Sequence, residues 1–364
     1  MNFGIGTKKC ILALLSLLVL LTCPACALYD KEYVAVEDYV FPASNSIREG
    51  DKLTAANYEE LTLALRSIAD AGLKEGSIVF TDAYPGDVSS DIERACLQVR
   101  LQDPLCAYCI EDFTYTLNQI VTLYEAKITV NYQNTGVPFE DIHKLQFTTG
   151  FDRLIGSAIS RADRKLVVSI NRSAYGLTDV NDLISEVYSG NPGSCPVTPK
   201  SNVRMFSGSG GQRLYEINFY YPDYTEEKAQ ELQSALKIDE KLLTDYEKAA
   251  YACERLREVV PGEGNNLYDA LVAGEAGDEG VALAYVALCK ELGLDCRLVH
   301  GEHFDSDYCW NIVKIGDEYW HAVIQSADGG EAFRNDMQMI ESFRWDTQEY
   351  PACNGDLTEL IVDV

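Results

Sequence analysis

The last third of the sequence has an order of segments that strongly limits its fold, because one apolar helix precedes several β-prone stretches. The spacing of apolar residues predicts a buried helix from Glu279 to Leu292, and Gly293 is typical of a helix end. Three β-prone stretches follow: Cys296–Val299, Trp310–Ile315 and Tyr319–Ile324. A helix followed by antiparallel strands predicts an α+β domain.

A short apolar run near the N-terminus predicts an export signal. Lys8 and Lys9 precede an apolar run over residues 10–21, which is shorter than the roughly 20 residues that span a bilayer. A small-x-small site follows, so residues 1–27 are predicted to be a signal peptide cleaved after Ala27. A lipoprotein anchored at Cys23 is the alternative. We therefore expect a secreted or cell-surface protein with no transmembrane segment in the mature chain.

The charge of the chain argues against two classes of partner. Acidic residues number 57 and basic residues 30, and the formal net charge is −27. Because phosphate binding needs clustered Lys and Arg, we expect no nucleic-acid binding, and docking on an anionic membrane is equally disfavoured. Three of the 12 cysteines lie in the leader, and the odd number that remains shows no disulfide-scaffold spacing. Their pairing stays open.

The mature chain is predicted to contain an extended segment, two α/β units and a C-terminal domain. The segment covers residues 28–53, and a helix is expected to begin near Thr54. Helix and strand patterns then recur over residues 54–138 and 139–225, which predicts an internal repeat. The C-terminal domain covers residues 226–364.

Three local patterns have a simple structural interpretation. Residues 190–211 are rich in Gly, Ser and Pro and predict a loop. The pair Cys106 and Cys109 has redox spacing, but it is predicted to enter a strand, where both are expected to be structural. The stretch from His300 to Asp307 holds several potential metal ligands and predicts a solvated loop. We therefore predict no metal site and no cofactor.

The C-terminal domain resembles the transglutaminase-like domain of exported bacterial proteins, in the papain-like superfamily. The resemblance begins at Asn266-Leu267-Tyr268-Asp269, continues to Gly301, and resumes at Trp310-Asn311 and Trp320-His321. It implies an α+β fold in which a transglutaminase-like domain follows the two α/β units. Family chemistry uses a Cys at a helix start, a His that moves the proton, and an Asp that orients the His.

All three catalytic positions of the family are replaced in this chain. The Cys position holds Asp278, the His position holds Tyr308, and the Asp position holds Val323. Asp278 is expected to act as an N-cap. A tyrosine is a poor base at neutral pH, and a valine cannot orient an imidazole.

The replaced positions are interpreted first as inert structure, and a polar ligand cleft around Asp278 and Tyr308 is the alternative. The cleft candidates are Asp278, Glu279, Tyr308, Trp310, Asn311 and His321. Cys309 is expected to point into the core because neighbouring strand residues face opposite sides. His321 is predicted to be structural, and no cysteine has a readable acid–base partner.

These observations predict an exported, noncatalytic binding or scaffolding module at the cell surface. Its expected partners, by resemblance, are cell-wall or protein peptides. A divergent transglutaminase or thiol peptidase is the alternative, and a spacer whose C-terminal domain only adds stability is a third.

Overall fold

The computed structural model describes residues 48–120, 122–133, 135–238, 244–325 and 331–356. The chain divides into two units, Met1–Ile47 and Arg48–Val364, and every described residue belongs to the second. The predicted signal peptide and most of the segment 28–53 therefore lie outside the described residues.

Nine α-helices occur in the described ranges. They are α1 Tyr58–Asp70, α2 Val88–Gln102, α3 Pro104–Cys109, α4 Phe151–Ser160, α5 Leu177–Ser189, α6 Glu226–Ala235, α7 Asp245–Arg257, α8 Asp278–Glu291 and α9 Asp336–Met339. The predicted capping box is confirmed, since the Thr244 side chain accepts from the Glu247 amide and Glu247 accepts from the Thr244 amide at the start of α7. None of these helices has the length and apolar content to cross a bilayer.

The first sheet has four strands in the order β1-β2-β4-β3. Its strands are β1 Lys52–Ala55, β2 Glu75–Phe80, β3 Ile110–Ile120 and β4 Leu123–Tyr132. The prediction of a helix from Thr54 is wrong, because Thr54 pairs with Val79 in β1 and the helix begins only after Asn57. Asn57 is the cap that decides this start, and its side chain accepts from the Glu60 amide.

The Cys-x-x-Cys motif lies in a helix and not in a strand. Asp103 caps α3 by accepting from the amides of Leu105 and Cys106, and Pro104 occupies the first helical position. Cys106 and Cys109 are free and buried. The predicted strand was wrong because Asp103-Pro104 ends α2 and also begins the next helix.

The second sheet has the same strand order and directions as the first, β5-β6-β8-β7. Its strands are β5 His143–Phe147, β6 Lys165–Arg172, β7 Lys200–Ser207 and β8 Arg213–Tyr220. β7 corrects the loop predicted over 190–211, since its polar residues pair with β8 at the sheet edge. The shared order is what a repeat requires, but the internal repeat itself stays a prediction.

The third sheet belongs to the C-terminal part and has the order β14-β13-β12-β11-β15. Its strands are β11 Cys296–His303, β12 Ser306–Ile315, β13 Glu318–Ala322, β14 Phe333–Arg334 and β15 Phe343–Arg344, and a separate two-stranded pair consists of β9 Val260–Pro261 and β10 Glu275–Ala276. Helix α8 packs on β11 and β12 and is buried along its whole middle. This mixed arrangement confirms the α+β prediction.

β11 and β12 form a tight hairpin where the sequence predicted a solvated loop. His303 pairs with Ser306, so only Phe304 and Asp305 form the turn. Both have positive φ, 48° and 63°, as a two-residue turn between twisted strands requires. The strands thus extend to the turn and bring His300 and Asp307 into the sheet.

Candidate functional site

The start of α8 is joined to β12 by a side-chain carboxylate. Gly277 is the N-cap and Asp278 is the first helical residue, so the predicted N-cap role of Asp278 is wrong. Its Oδ2 atom instead accepts from the backbone N–H of Cys309 at 2.5 Å. A carboxylate at this end of a helix also interacts favourably with the helix dipole.

A buried amide makes a second connection between helix and sheet. The Asn311 side chain is fully buried, and its Nδ2 atom donates to the Ala282 carbonyl at 3.0 Å and to the Arg297 carbonyl at 3.4 Å. Asn311 Oδ1 has no hydrogen-bond partner among the described residues. These contacts fix the position of α8 relative to β12.

The structure brings four of the six cleft candidates together around a small cleft. Its lining residues are Asp278, Val281, Ala282, Tyr308, Cys309, Trp310, Asn311, Ala322, Ile324 and Gln325. The free volume is about 10 Å³, enough for the centre of about one water molecule. Glu279 and His321 do not line it. The cleft is therefore nearly filled by its own side chains.

Tyr308 is held among aromatic rings. Its ring centroid lies 5.4 Å from that of His303, 5.9 Å from Phe343 and 6.5 Å from Trp310. Its hydroxyl donates to the Gln325 carbonyl at 3.5 Å. This hydroxyl therefore faces an acceptor that has no proton to exchange.

Val323 lies in a small apolar core on the sheet face opposite α8. The core consists of Val299, Trp310, Ile312, Val323, Met339, Phe343 and Cys353. Val323 is only 2% exposed. Val323 is thus a packing residue of this core.

One thiol does meet an imidazole. His300 and Cys309 are directly paired across β11 and β12, so both side chains leave the sheet on the same face. Cys309 Sγ lies 3.3 Å from His300 Nδ1. Cys309 packs against the main core as a partly buried residue, as predicted, but the prediction that it has no partner is wrong, because His300 lies beside it.

The surroundings of this pair keep the thiol protonated. Burial raises the pKa of Cys309 to about 12, and the carboxylates of Asp278, Glu279 and Asp307 add to the increase. Catalytic thiols need the opposite surroundings, with positive charge nearby. The pair was not predicted from the sequence, because the register of the hairpin decides which residues lie opposite each other. The two-residue turn at Phe304-Asp305 fixes this register and was the signal that could have identified the pair.

His321 is buried on the far side of the sheet with both ring nitrogens engaged. The Trp310 indole Nε1–H donates to Nδ1 at 2.9 Å, and Nε2 lies 2.9 Å from Asp336 Oδ1. Because Nδ1 accepts, Nε2 carries the proton that Asp336 receives. Burial lowers the pKa of His321, although Asp336 opposes this. His321 is therefore a neutral residue outside the cleft.

This histidine belongs to a cluster of three potential metal ligands. Ligand atoms of His321, Asp336 and Cys353 lie within 4.8 Å of one another. A metal ion would need the Nε2 lone pair, which exists only if Nδ1 is protonated, and the Trp310 N–H would then face another N–H. The hydrogen bonds therefore do not suit a metal ion.

Residues 222–328 match the family model described as the transglutaminase-like superfamily. No curated protein matches the chain. Similar solved structures include a proposed cysteine protease from Cytophaga hutchinsonii, with 11% identity and a TM-score of 0.22 over 34% of this chain and 63% of that one.

Two further solved structures are similar. A TGase is 9% identical, with a TM-score of 0.25 over 62% of this chain and 67% of that chain. A proposed protease from Parabacteroides distasonis is 8% identical, with a TM-score of 0.21 over 70% of this chain and 41% of that chain. The chain spans less than two thirds of the length of the Cytophaga protein. Residues 222–328 thus contain a transglutaminase-like domain.

Proposed function

We propose that this protein is a noncatalytic binding or scaffolding module that acts at the cell surface. The observation that carries this proposal is the structural use of all three catalytic positions. Asp278 holds β12, Tyr308 packs among aromatic rings, and Val323 fills a core.

Acyl transfer by this chemistry needs a thiolate, a group that moves a proton, and hydrogen-bond donors for the substrate carbonyl oxygen. The carboxylate of Asp278 is a much weaker nucleophile toward an amide than a thiolate. A tyrosine hydroxyl such as that of Tyr308 is a poor base at neutral pH, because it holds its proton far more tightly than an imidazole does. The domain thus keeps the frame of its family without the reactive groups.

Peptides are the proposed ligand class, and the cleft restricts how they bind. With room for about one water molecule, the cleft admits no peptide side chain. A peptide would instead cross the mouth of the cleft, where Asp278, Tyr308 and Gln325 are partly exposed. Asp278 would accept from peptide N–H groups, and the Tyr308 ring would provide apolar contact.

A thermal-shift titration with cell-wall peptides tests this proposal. We expect the wild type to melt at a higher temperature with peptide and the shift to fall in Asp278→Asn. Tyr319→Phe is a matched control, because Tyr319 donates to Asp295, the residue before β11, and does not line the cleft. If no peptide shifts the wild type, or if Asp278→Asn responds like Tyr319→Phe, this cleft does not bind peptides.

The proposed location rests on the N-terminal sequence. Mass spectrometry of the protein from an expressing bacterium is expected to show a mature chain that begins at Leu28. A diacylglycerol adduct on Cys23 would support the lipoprotein alternative, and an intact Met1 would refute export by this signal.

A divergent thiol enzyme is a second candidate, and the contact between Cys309 and His300 favours it. Amine-incorporation and peptide-hydrolysis assays of the wild type, Cys309→Ser and Cys353→Ser decide between the two. We expect no turnover from any of them. Turnover that is lost only in Cys309→Ser would refute the noncatalytic proposal.

A further inference from the structure

Strand β3 is an edge of the first sheet and differs from the other edge strands of the two four-stranded sheets. It is the last strand in the order β1-β2-β4-β3, so one side of its backbone pairs with no strand in the described ranges. Sheet edges are usually protected by short length or by basic side chains. The other edges carry Lys52 in β1, Lys144 in β5, and Lys200 and Arg204 in β7. β3 has 11 residues and none of them is basic.

The sequence of β3 is nearly a palindrome centred on Tyr115. It reads Ile110-Glu111-Asp112-Phe113-Thr114-Tyr115-Thr116-Leu117-Asn118-Gln119-Ile120. Residues at equal distances from the centre are identical or alike in shape: Thr with Thr, Phe with Leu, Asp with Asn, Glu with Gln, and Ile with Ile. Two copies of such a strand that run antiparallel place like side chains directly opposite each other.

We propose that β3 pairs with the β3 strand of a second copy of this chain, antiparallel and centred on Tyr115. The two four-stranded sheets then form one sheet of eight strands about a two-fold axis. Such an axis requires directly opposite residues to lie on the same face. Residues at equal distances from Tyr115 meet this condition, because an even number of positions separates them.

The inner face of β3 supplies the apolar part of the interface. Phe113, Tyr115 and Leu117 pack against the first core but are only half-buried. The second copy places Tyr115 opposite Tyr115 and Phe113 opposite Leu117. Aromatic and aliphatic pairs of this kind stabilise antiparallel strands, and they would remove the exposed sides of these residues from water.

The outer face of β3 explains why the pairing is antiparallel. Asp112 pairs with Asn131 of β4, and Thr114 pairs with Thr129, so Asp112 and Thr114 share the face opposite the core. The second copy places Asp112 opposite Asn118, whose amide can donate to the carboxylate. The two Asp112 side chains are then about 20 Å apart along the strands, farther than charges act strongly in physiological salt. A parallel pair would instead bring them side by side, in a chain that already has a net charge of −27.

Light scattering of the purified protein over a range of concentrations tests the proposal. We expect a reversible equilibrium between one chain and two. Thr114→Lys combined with Thr116→Lys places two lysines directly opposite each other at two points, and should raise the dissociation constant about 10-fold or more. Thr114→Lys combined with Thr116→Glu places opposite charges at the same points, and should keep the dissociation constant within about threefold of the wild type.

Thr129→Lys is the matched control, because Thr129 is exposed on the same face but lies in the inner strand β4. It should leave the dissociation constant unchanged, and near-ultraviolet circular dichroism checks that each variant is folded. A wild type that stays monomeric at every concentration would overturn the proposal. So would a double-lysine variant that associates like the wild type, or a lysine–glutamate variant as weak as the double-lysine variant. The cleft beside Asp278 has no part in this test.

Discussion

Replacing Asp278 by alanine removes the carboxylate that joins the start of α8 to β12. The variant leaves the backbone N–H of Cys309 without its acceptor in a partly buried position. It also removes a negative charge from the first turn of α8. Both losses reduce the stability of the folded state, because the unfolded chain satisfies the amide with water.

The expected size of the effect follows from these two contacts. A hydrogen bond to a charged group contributes about 1.5–3 kcal/mol, and a charge near a helix N-terminus contributes about 0.3–1 kcal/mol. Because the site is only partly buried, we expect a loss of about 2 kcal/mol in the free energy of unfolding. Asp278→Asn keeps an acceptor oxygen and should lose about 1 kcal/mol or less.

Urea unfolding followed by tryptophan fluorescence measures this difference. The chain has three tryptophans, Trp310, Trp320 and Trp345, and all belong to the C-terminal part, so the signal reports on the domain in question. A midpoint for Asp278→Ala equal to that of the wild type would refute the structural role of Asp278. Equal losses in the alanine and asparagine variants would refute the contribution of the retained acceptor.

Three further changes test the packing on the far side of the sheet. Val323→Asp should cost about 3 kcal/mol or more in urea unfolding, because it buries a carboxylate in an apolar core. An unchanged midpoint would contradict this. The pKa of His321 is lowered from 6.5 in the folded state, so the unfolded state binds the proton more readily. The free energy of unfolding should therefore be full above pH 6.5 and fall as the pH decreases below it. A His321→Gln variant with an equally steep pH profile would show that another group is responsible. Gly301→Ala should lower the free energy of unfolding by about 1–3 kcal/mol, because an added Cβ atom would lie near the Arg344 carbonyl and 2.6 Å from the Trp310 ring. A melting temperature equal to that of the wild type would refute the close contact.

Much of the C-terminal architecture was predictable from periodicity. The apolar pattern from Glu279 to Leu292 matches α8 to within a residue at each end, and Gly293 adopts the positive φ expected after a helix. The capping box at Thr244 identified the start of α7 because its two hydrogen bonds are local. Local signals of this kind depend only on neighbours in sequence.

The errors arose where pairing with distant residues decides the conformation. Residues 200–207 are mostly polar, and only their pairing with β8 makes them a strand. Asp103-Pro104 was interpreted as a helix end, although Asp and Pro are also the residues that begin a helix. In both cases, residues that are typical of loops and helix ends also occur in regular secondary structure.

The contact between Cys309 and His300 was missed for the same reason. Alternation along β12 correctly places Cys309 and Tyr308 on opposite faces, but it does not say what lies on each face. Cys309 packs against the core on its face and also meets His300 on the neighbouring strand. Register, which is a long-range property, decided this outcome.

The small core on the far side of the sheet sets a lower limit on the piece of chain that can fold alone. The family match ends at residue 328, yet Trp310 and Val323 are covered by Met339, Phe343 and Cys353. A fragment that stops at the matched boundary would leave an indole and a strand face in water. Fragments intended for expression should therefore extend at least through Gly355, which contacts the Trp320 ring.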